Sequence, residues 1–164
     1  MGTGGDEGGT RFLADRMLGR LARYLRILGY DVAYPAPCSD AWLIAQARRE
    51  GRVLLTRDMG IAARAASFPG HPAIVALRSQ SVLAQVEQLV VEGWLDLARE
   101  PRCPACNGSL GTVSPGEARH LVPPYTFATQ LDFLHCAYCN LVLWEGSHRD
   151  LFRRRMGGIL ARPR

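Results

Sequence analysis

A chain of 164 residues that is 48% hydrophobic and 21% charged has the make-up of an ordinary globular protein, large enough for one good core and a small appendage. It contains no run of 18 apolar residues and no charged-then-apolar leader, so neither a membrane span nor a secretory signal is expected, and the expected compartment is the cytoplasm. A formal charge of +5 favours an anionic partner, of which nucleic acid is the commonest; all twenty basic residues are Arg, a usage better explained by coding bias than by selection for phosphate contacts.

Residues 1–10 are Gly-rich and aperiodic, the pattern of a disordered arm. From Arg11 onward, short β-like runs alternate with amphipathic helices. Phe12-Leu13-Ala14 reads as a buried strand, and Met17, Leu18, Leu21, Leu25 and Leu28 recur at helical spacing until Gly29. Asp31 to Tyr34 predicts a second strand, and Ser39 caps a helix carrying Trp42, Leu43, Ala45 and Ala47 that Gly51 closes. Arg52 to Thr56 is a third strand, apolar throughout as buried parallel strands are. Ile61 to Phe68 predicts a helix, Ala73 to Leu77 a fourth strand, and Ser81 to Ala98 a longer helix. Four strands alternating with helices imply an α/β fold with a parallel sheet covered on both faces.

Glu100-Pro101-Arg102 then links residues 11–99 to a different kind of module over 100–164. Cys103-Pro-Ala-Cys106 is followed, after twenty-nine residues, by Cys136-Ala-Tyr-Cys139. Two Cys-x-x-Cys knuckles around a strand-bearing segment are the ligand set of a tetrahedral Zn(Cys)4 ribbon, and four thiolates leave no open position, so this zinc is expected to be structural. Loss of Cys103 and Cys106 is expected to unfold the tail and spare the first domain. Leu141 to Trp144 predicts a strand and Asp150 to Leu160 a basic helix; Tyr125, Phe127 and Phe133 are expected to form the ribbon's small core.

The chemistry therefore falls to the first domain. Ligands bind open parallel sheets at the carboxyl ends of the strands. Asp15 directly follows the first strand, Asp58 directly follows the third, and Asp40 opens the helix after the second. Asp is also a preferred helix cap, but three carboxylates on one rim repel unless a cation neutralises them. The economical cation is Mg²⁺ or Mn²⁺, and such a site can hydrolyse phosphodiesters. No Gly-rich phosphate loop follows the first strand, which disfavours a nucleotide cofactor.

The strings FLADRMLGRLARYLRILGYD, EGRVLLTRD, RCPACNGSL and CAYCNLVLWEGSH, in that order, closely resemble the Mut-seven C-terminal RNase domain family, a branch of the PIN-like nucleases with an attached zinc ribbon. The resemblance runs from Arg11 to Arg155. It implies a PIN-like three-layer α/β/α sandwich whose acids, here Asp15, Asp40 and Asp58, bind Mg²⁺ or Mn²⁺ and cleave RNA, with Thr56 orienting the Thr-Arg-Asp turn. The fourth acid that PIN nucleases often carry has no counterpart between Ala73 and Val86.

Beside such a site, Arg16, Arg20 and Arg23 share a helix face at spacings of four and three and are candidate RNA-backbone contacts, as is Arg57. Ser147 and His148 are candidates on the ribbon, and Arg153-Arg154-Arg155 forms a basic patch. Cys38 reads as an inert odd thiol. The competing reading is a non-catalytic RNA-binding or adaptor module whose acids only cap helices, and a toxin-like protein held by an antitoxin is a third.

Overall fold

A computed structural model describes residues 9–96 and 99–144. Four strands, β1 (Phe12–Ala14), β2 (Val32–Ala33), β3 (Val53–Thr56) and β4 (Ile74–Ala76), form a wholly parallel sheet in the order β2-β1-β3-β4. Between them run a 3₁₀ turn (Arg16–Leu18) with α1 (Gly19–Ile27), then α2 (Asp40–Glu50), α3 (Met59–Ala66) and, after β4, α4 (Val82–Val91). The alternation of side chains along each strand decides which helices cover which face. Phe12, Ala14, Val53, Leu55 and Val75 point to one side and meet Leu21 and Leu25 of α1 and Val86 and Leu89 of α4. Leu13 and Leu54 point to the other and meet Leu43, Ile44 and Ala47 of α2 and Ile61 and Ala65 of α3. The result is the helix–sheet–helix layering expected from the sequence, with the central strands β1 and β3 buried along their whole length.

Two helices are shorter than their hydrophobic patterns predict. The run from Met17 to Leu28 is divided, because the Asp15 side chain accepts the Met17 N–H and starts a 3₁₀ turn ahead of α1. Met17 is 59% exposed, so it belongs to the rim and not to the core. The helix read from Ser81 to Ala98 ends at Val91, where Gly93 takes a left-handed φ of +79° and the Trp94 N–H returns to the Leu89 carbonyl. No helix among the described residues is long and apolar enough to cross a membrane.

Beyond the linker, β5 (Gly111–Thr112), β6 (Phe133–His135) and β7 (Val142–Trp144) make an antiparallel sheet in sequence order. Between β5 and β6 lie two short helices, α5 (Pro115–Leu121) and α6 (Pro124–Thr129), in a stretch for which the sequence analysis predicts no helix. Their signal was present: Ser114 and Glu117 form a reciprocal capping box and Pro115 stands in the first turn. The core here is small, with Ala118, Val122 and Phe133 buried and Phe127 stacked on Phe133 at 6.5 Å between ring centres. Tyr125 is 81% exposed and does not join it. The arm expected over residues 1–10, except for Gly9 and Thr10, and the helix expected over Asp150 to Leu160 lie outside the described residues.

Candidate functional site

The chain leaves β1 toward β2 on one side and enters β3 on the other, so the carboxyl ends of β1 and β3 flank the point where the strand order reverses, the place where open α/β sheets bind ligands. Asp15 and Asp58 stand there. Asp15 is 2% exposed. Its Oδ1 accepts the Met17 N–H at 2.7 Å, while Oδ2 accepts the Thr56 hydroxyl and the Arg57 N–H, the latter at 3.2 Å. Thr56, also fully buried, in turn accepts the Asp58 N–H at 3.0 Å. One hydroxyl thus ties the first acid to the backbone of the second. Asp58 is exposed; its Oδ1 caps α3 by accepting the N–H groups of Gly60 and Ile61 at 2.7 and 3.2 Å.

Asp40 opens α2, where the Ser39 side chain caps the helix, and its Oδ2 pairs with Arg64 of α3 at 2.9 Å. All three acids border one cleft of ≈ 390 Å³, together with Arg16, Met17 and Cys38. The three carboxylates do not, however, form a closed cluster. Among the described residues, the four zinc-type cysteines are the only group of three or more ligating side chains whose donor atoms all lie within 4.8 Å of one another. Of the arginines expected to grip RNA, Arg16, Arg20 and Arg23 are exposed and Arg57 is half-buried, but only Arg16 lines the cleft. Ser147, His148 and Arg153 to Arg155 lie outside the described residues.

The cysteine cluster is built from two matching turns. In each, the N–H of the Asn after the second Cys returns to the carbonyl of the first, Asn107 to Cys103 at 2.9 Å and Asn140 to Cys136 at 2.8 Å. Both asparagines take a positive φ, 70° and 58°, which Asn tolerates better than most side chains. Cys103 and Cys136 are buried and Cys106 and Cys139 exposed. Across the turns, Sγ atoms stand 3.5 Å (Cys103 and Cys139) and 3.3 Å (Cys106 and Cys136) apart. Four sulfurs around one zinc at about 2.3 Å each would lie about 3.8 Å apart, so the donor set could hold that ion with a small expansion. Burial opposes ionisation of Cys136, but N–H groups of Cys139 and Tyr138 and the Cys106 thiol hold it at about 7; burial pushes the Cys103 thiol up.

What the sequence reading missed is how this first knuckle is fastened to the sheet. Arg26 of α1, to which the sequence analysis assigns no role, is 6% exposed. Its Nε and Nη2 donate to the Val32 carbonyl of β2 at 3.0 and 2.8 Å, and its Nη1 donates to the knuckle carbonyls of Pro104 and Ala105 at 3.1 and 3.0 Å. Burial lowers its proton affinity, against which negative charge on Cys103, Cys106 and Asp31 acts. Asn107 completes the seam, accepting the Val32 N–H at 3.1 Å and donating to Asp31 at 2.8 Å. Asp31 is held on its other side by Arg52, whose two terminal nitrogens reach its two oxygens at 2.8 and 3.2 Å. The overlooked signal was position: Arg26 falls on the stripe of Leu21, Ala22 and Leu25, not on the face of Arg16, Arg20 and Arg23.

No curated protein and no solved structure gives a significant match to the chain. A family model described as the Mut7-C RNAse domain matches residues 10–156, spanning both the acid-bearing sheet and the two cysteine knuckles. The chain therefore belongs to the Mut7-C RNAse domain family.

Proposed function

We propose that the protein is a divalent-metal-dependent ribonuclease that hydrolyses RNA phosphodiesters at the cleft between the ends of β1 and β3, and that its four cysteines hold one structural zinc. The observation that carries this reading is the Asp15–Thr56–Asp58 linkage opening onto the cleft that Asp40 also borders. A carboxylate offers about four acceptor sites. Three are used on Asp15, two on Asp58 and one on Asp40, so each acid keeps acceptor capacity among the described residues. Mg²⁺ and Mn²⁺ suit hard oxygen donors, and Mg²⁺ needs only one or two direct carboxylates because it retains waters, which fits acids that border a cleft without closing on one point. When bound, such an ion supplies Lewis acidity toward a phosphodiester and the water that attacks it.

The residues of the chain supply position and charge. Thr56 and the Met17 and Arg57 N–H groups fix the Asp15 carboxyl group in rotation. Asp58 is set by the first turn of α3, and Asp40 is steered by Arg64. Arg16 at the cleft edge is placed to meet a phosphate oxygen, a contact that positions a strand without reading its sequence.

The test is cleavage of end-labelled single-stranded and hairpin RNAs by zinc-loaded protein with Mn²⁺, with Mg²⁺ or with neither added. Cleavage that requires the added ion and disappears in both Asp15→Asn and Asp58→Asn is the expected result. A folded protein that binds RNA equally with and without the ion, and cuts nothing, would establish the adaptor reading. That reading has one observation in its favour: Asp15 and Asp58 both act as helix caps.

A further inference from the structure

A second depression lies along the seam of α2 and α3. It measures ≈ 540 Å³, within the range of small-ligand sites. Ile44 and Pro72 are its buried residues, Ala41 and Ala45 leave room above them, and Phe68, 50% exposed, stands among exposed polar groups. Those groups are Arg48, Arg49, Arg64 and His71; no acidic side chain lines the groove. Three guanidiniums around an apolar floor with a half-open aromatic ring suit a ligand that combines a phosphate with a flat ring. His71 donates from Nδ1 to the Pro72 carbonyl at 2.9 Å.

The groove neighbours the acid cleft. Asp40, Leu43 and Ile61 line the cleft, while their helix neighbours Ala41, Ile44 and Arg64 line the groove, and the Arg64–Asp40 ion pair stands between the two. We infer that the α2–α3 groove binds a nucleotide of the same RNA strand, flanking the one held at the acids, with its phosphate on Arg48 and its base against Phe68. This rests on the ribonuclease reading for the identity of the strand, though the groove can be tested without catalysis.

The experiment uses full-length zinc-loaded protein and three probes: AMP followed by amide chemical shifts, a 12-nucleotide single-stranded RNA followed by fluorescence anisotropy over a salt series, and sedimentation. AMP is expected to shift the amides of Ala45, Phe68 and His71. Arg48→Ala and Phe68→Ala, both at exposed positions, are each expected to weaken RNA binding about tenfold, the size of one lost stacked base or phosphate contact. Only Arg48→Ala should also flatten the dependence of log K on log salt, by about 0.7. An Arg48→Ala/Phe68→Ala double variant that binds RNA like the wild type, or AMP shifts confined to other surfaces, would overturn the inference. So would a wild-type dimer that Phe68→Ala dissociates without change in RNA affinity, since the occupant would then be a second copy of the chain. A wild type that binds RNA through this groove and never cuts it would refute the ribonuclease reading and leave the groove standing.

Discussion

Replacing Arg26 by Met keeps the apolar stem and removes the guanidinium that joins α1, β2 and the first knuckle. Three carbonyls, those of Val32, Pro104 and Ala105, lose their side-chain donor at once. Hydrogen bonds to a charged group contribute about 1.5–3 kcal/mol each, but the two bonds to Val32 share one acceptor and water can enter beside the exposed end of the knuckle. A cost of about 3–5 kcal/mol follows, since each of the three carbonyls that loses its donor forfeits about 1–3 kcal/mol and water restores part of the sum. At about 2–4 °C per kcal/mol for a chain of this length, the melting temperature should fall by roughly 10 °C. Arg26→Lys should recover less than half of this, because a single ammonium cannot fork between strand and knuckle. Thermal denaturation gives the stability, and zinc release to a chromophoric chelator gives the knuckle's lifetime, which should shorten in the same order. An Arg26→Met protein within about 1 kcal/mol of wild type, releasing zinc at the wild-type rate, would refute the reasoning.

Thr56→Val preserves shape while removing the hydroxyl that serves both Asp15 and Asp58; metal-dependent RNA cleavage should drop about 10–100-fold, as for other partners of ligating groups, and full activity in this variant would show that the linkage is incidental. Asp31→Asn should be destabilising at pH 7 and progressively less so in acid. Burial raises the Asp31 carboxyl, but the hydrogen bonds from Arg52 and Asn107 outweigh it and hold the group below its ordinary value. A depressed carboxylate contributes its stability fully above the unfolded value of about 3.9 and loses it as the pH falls through the folded value, so urea midpoints of wild type and variant should converge below about pH 4 and stay apart above about pH 5. Contrary to the expectation from sequence that the first domain is spared, Cys103→Ser/Cys106→Ser should loosen more than the ribbon, because the knuckle is bonded to α1 and β2: amide exchange should quicken in β2 and the C-terminal half of α1, and protection there equal to wild type would show that the sheet does not depend on the knuckle.

Much of this architecture can be read from one-dimensional patterns because the elements that carry it are local. Strand runs such as Val53-Leu54-Leu55 are apolar without interruption, Ser39 and Gly51 bracket α2, and the paired Cys-x-x-Cys spacings announce a four-thiolate site. Asp15, Asp40 and Asp58 stand out in the sequence by their places after strands, and their bordering one cleft follows from the strand order. What stayed hidden depends on partners far away in sequence. Nothing near Arg26 reveals that Pro104 and Ala105, 78 and 79 positions on, will accept its hydrogen bonds. Likewise, Asp40 is an ordinary first-turn acid until Arg64 arrives from α3. The amphipathic pattern over Met17 to Leu28 misled because a hydrophobic period cannot distinguish a continuous helix from a 3₁₀ turn followed by one, whereas the cap that Asp15 provides can.

The seam between sheet and knuckle answers a problem set by the sheet itself. Strand β2 is only two residues long and sits at an edge, where an unpaired N–H and carbonyl would invite another chain or compete for water. The Val32 N–H is taken by Asn107 and its carbonyl by Arg26, so both backbone groups on that residue are satisfied by side chains rather than by a fifth strand. The knuckle turn sets the Asn107 backbone at a φ of +70°, and the same turn brings Cys103 and Cys106 into the four-cysteine cluster that could hold a metal. The cysteine cluster and the edge protection therefore draw on one piece of backbone geometry. Zinc bound at the thiolates would stabilise the turn, the turn would hold Asn107 and the two carbonyls in place, and those would hold β2 against β1, whose far end carries Asp15. On this account the ribbon's contribution to the acid site is mechanical and reaches it through the sheet, with no need for a ribbon side chain to touch the cleft.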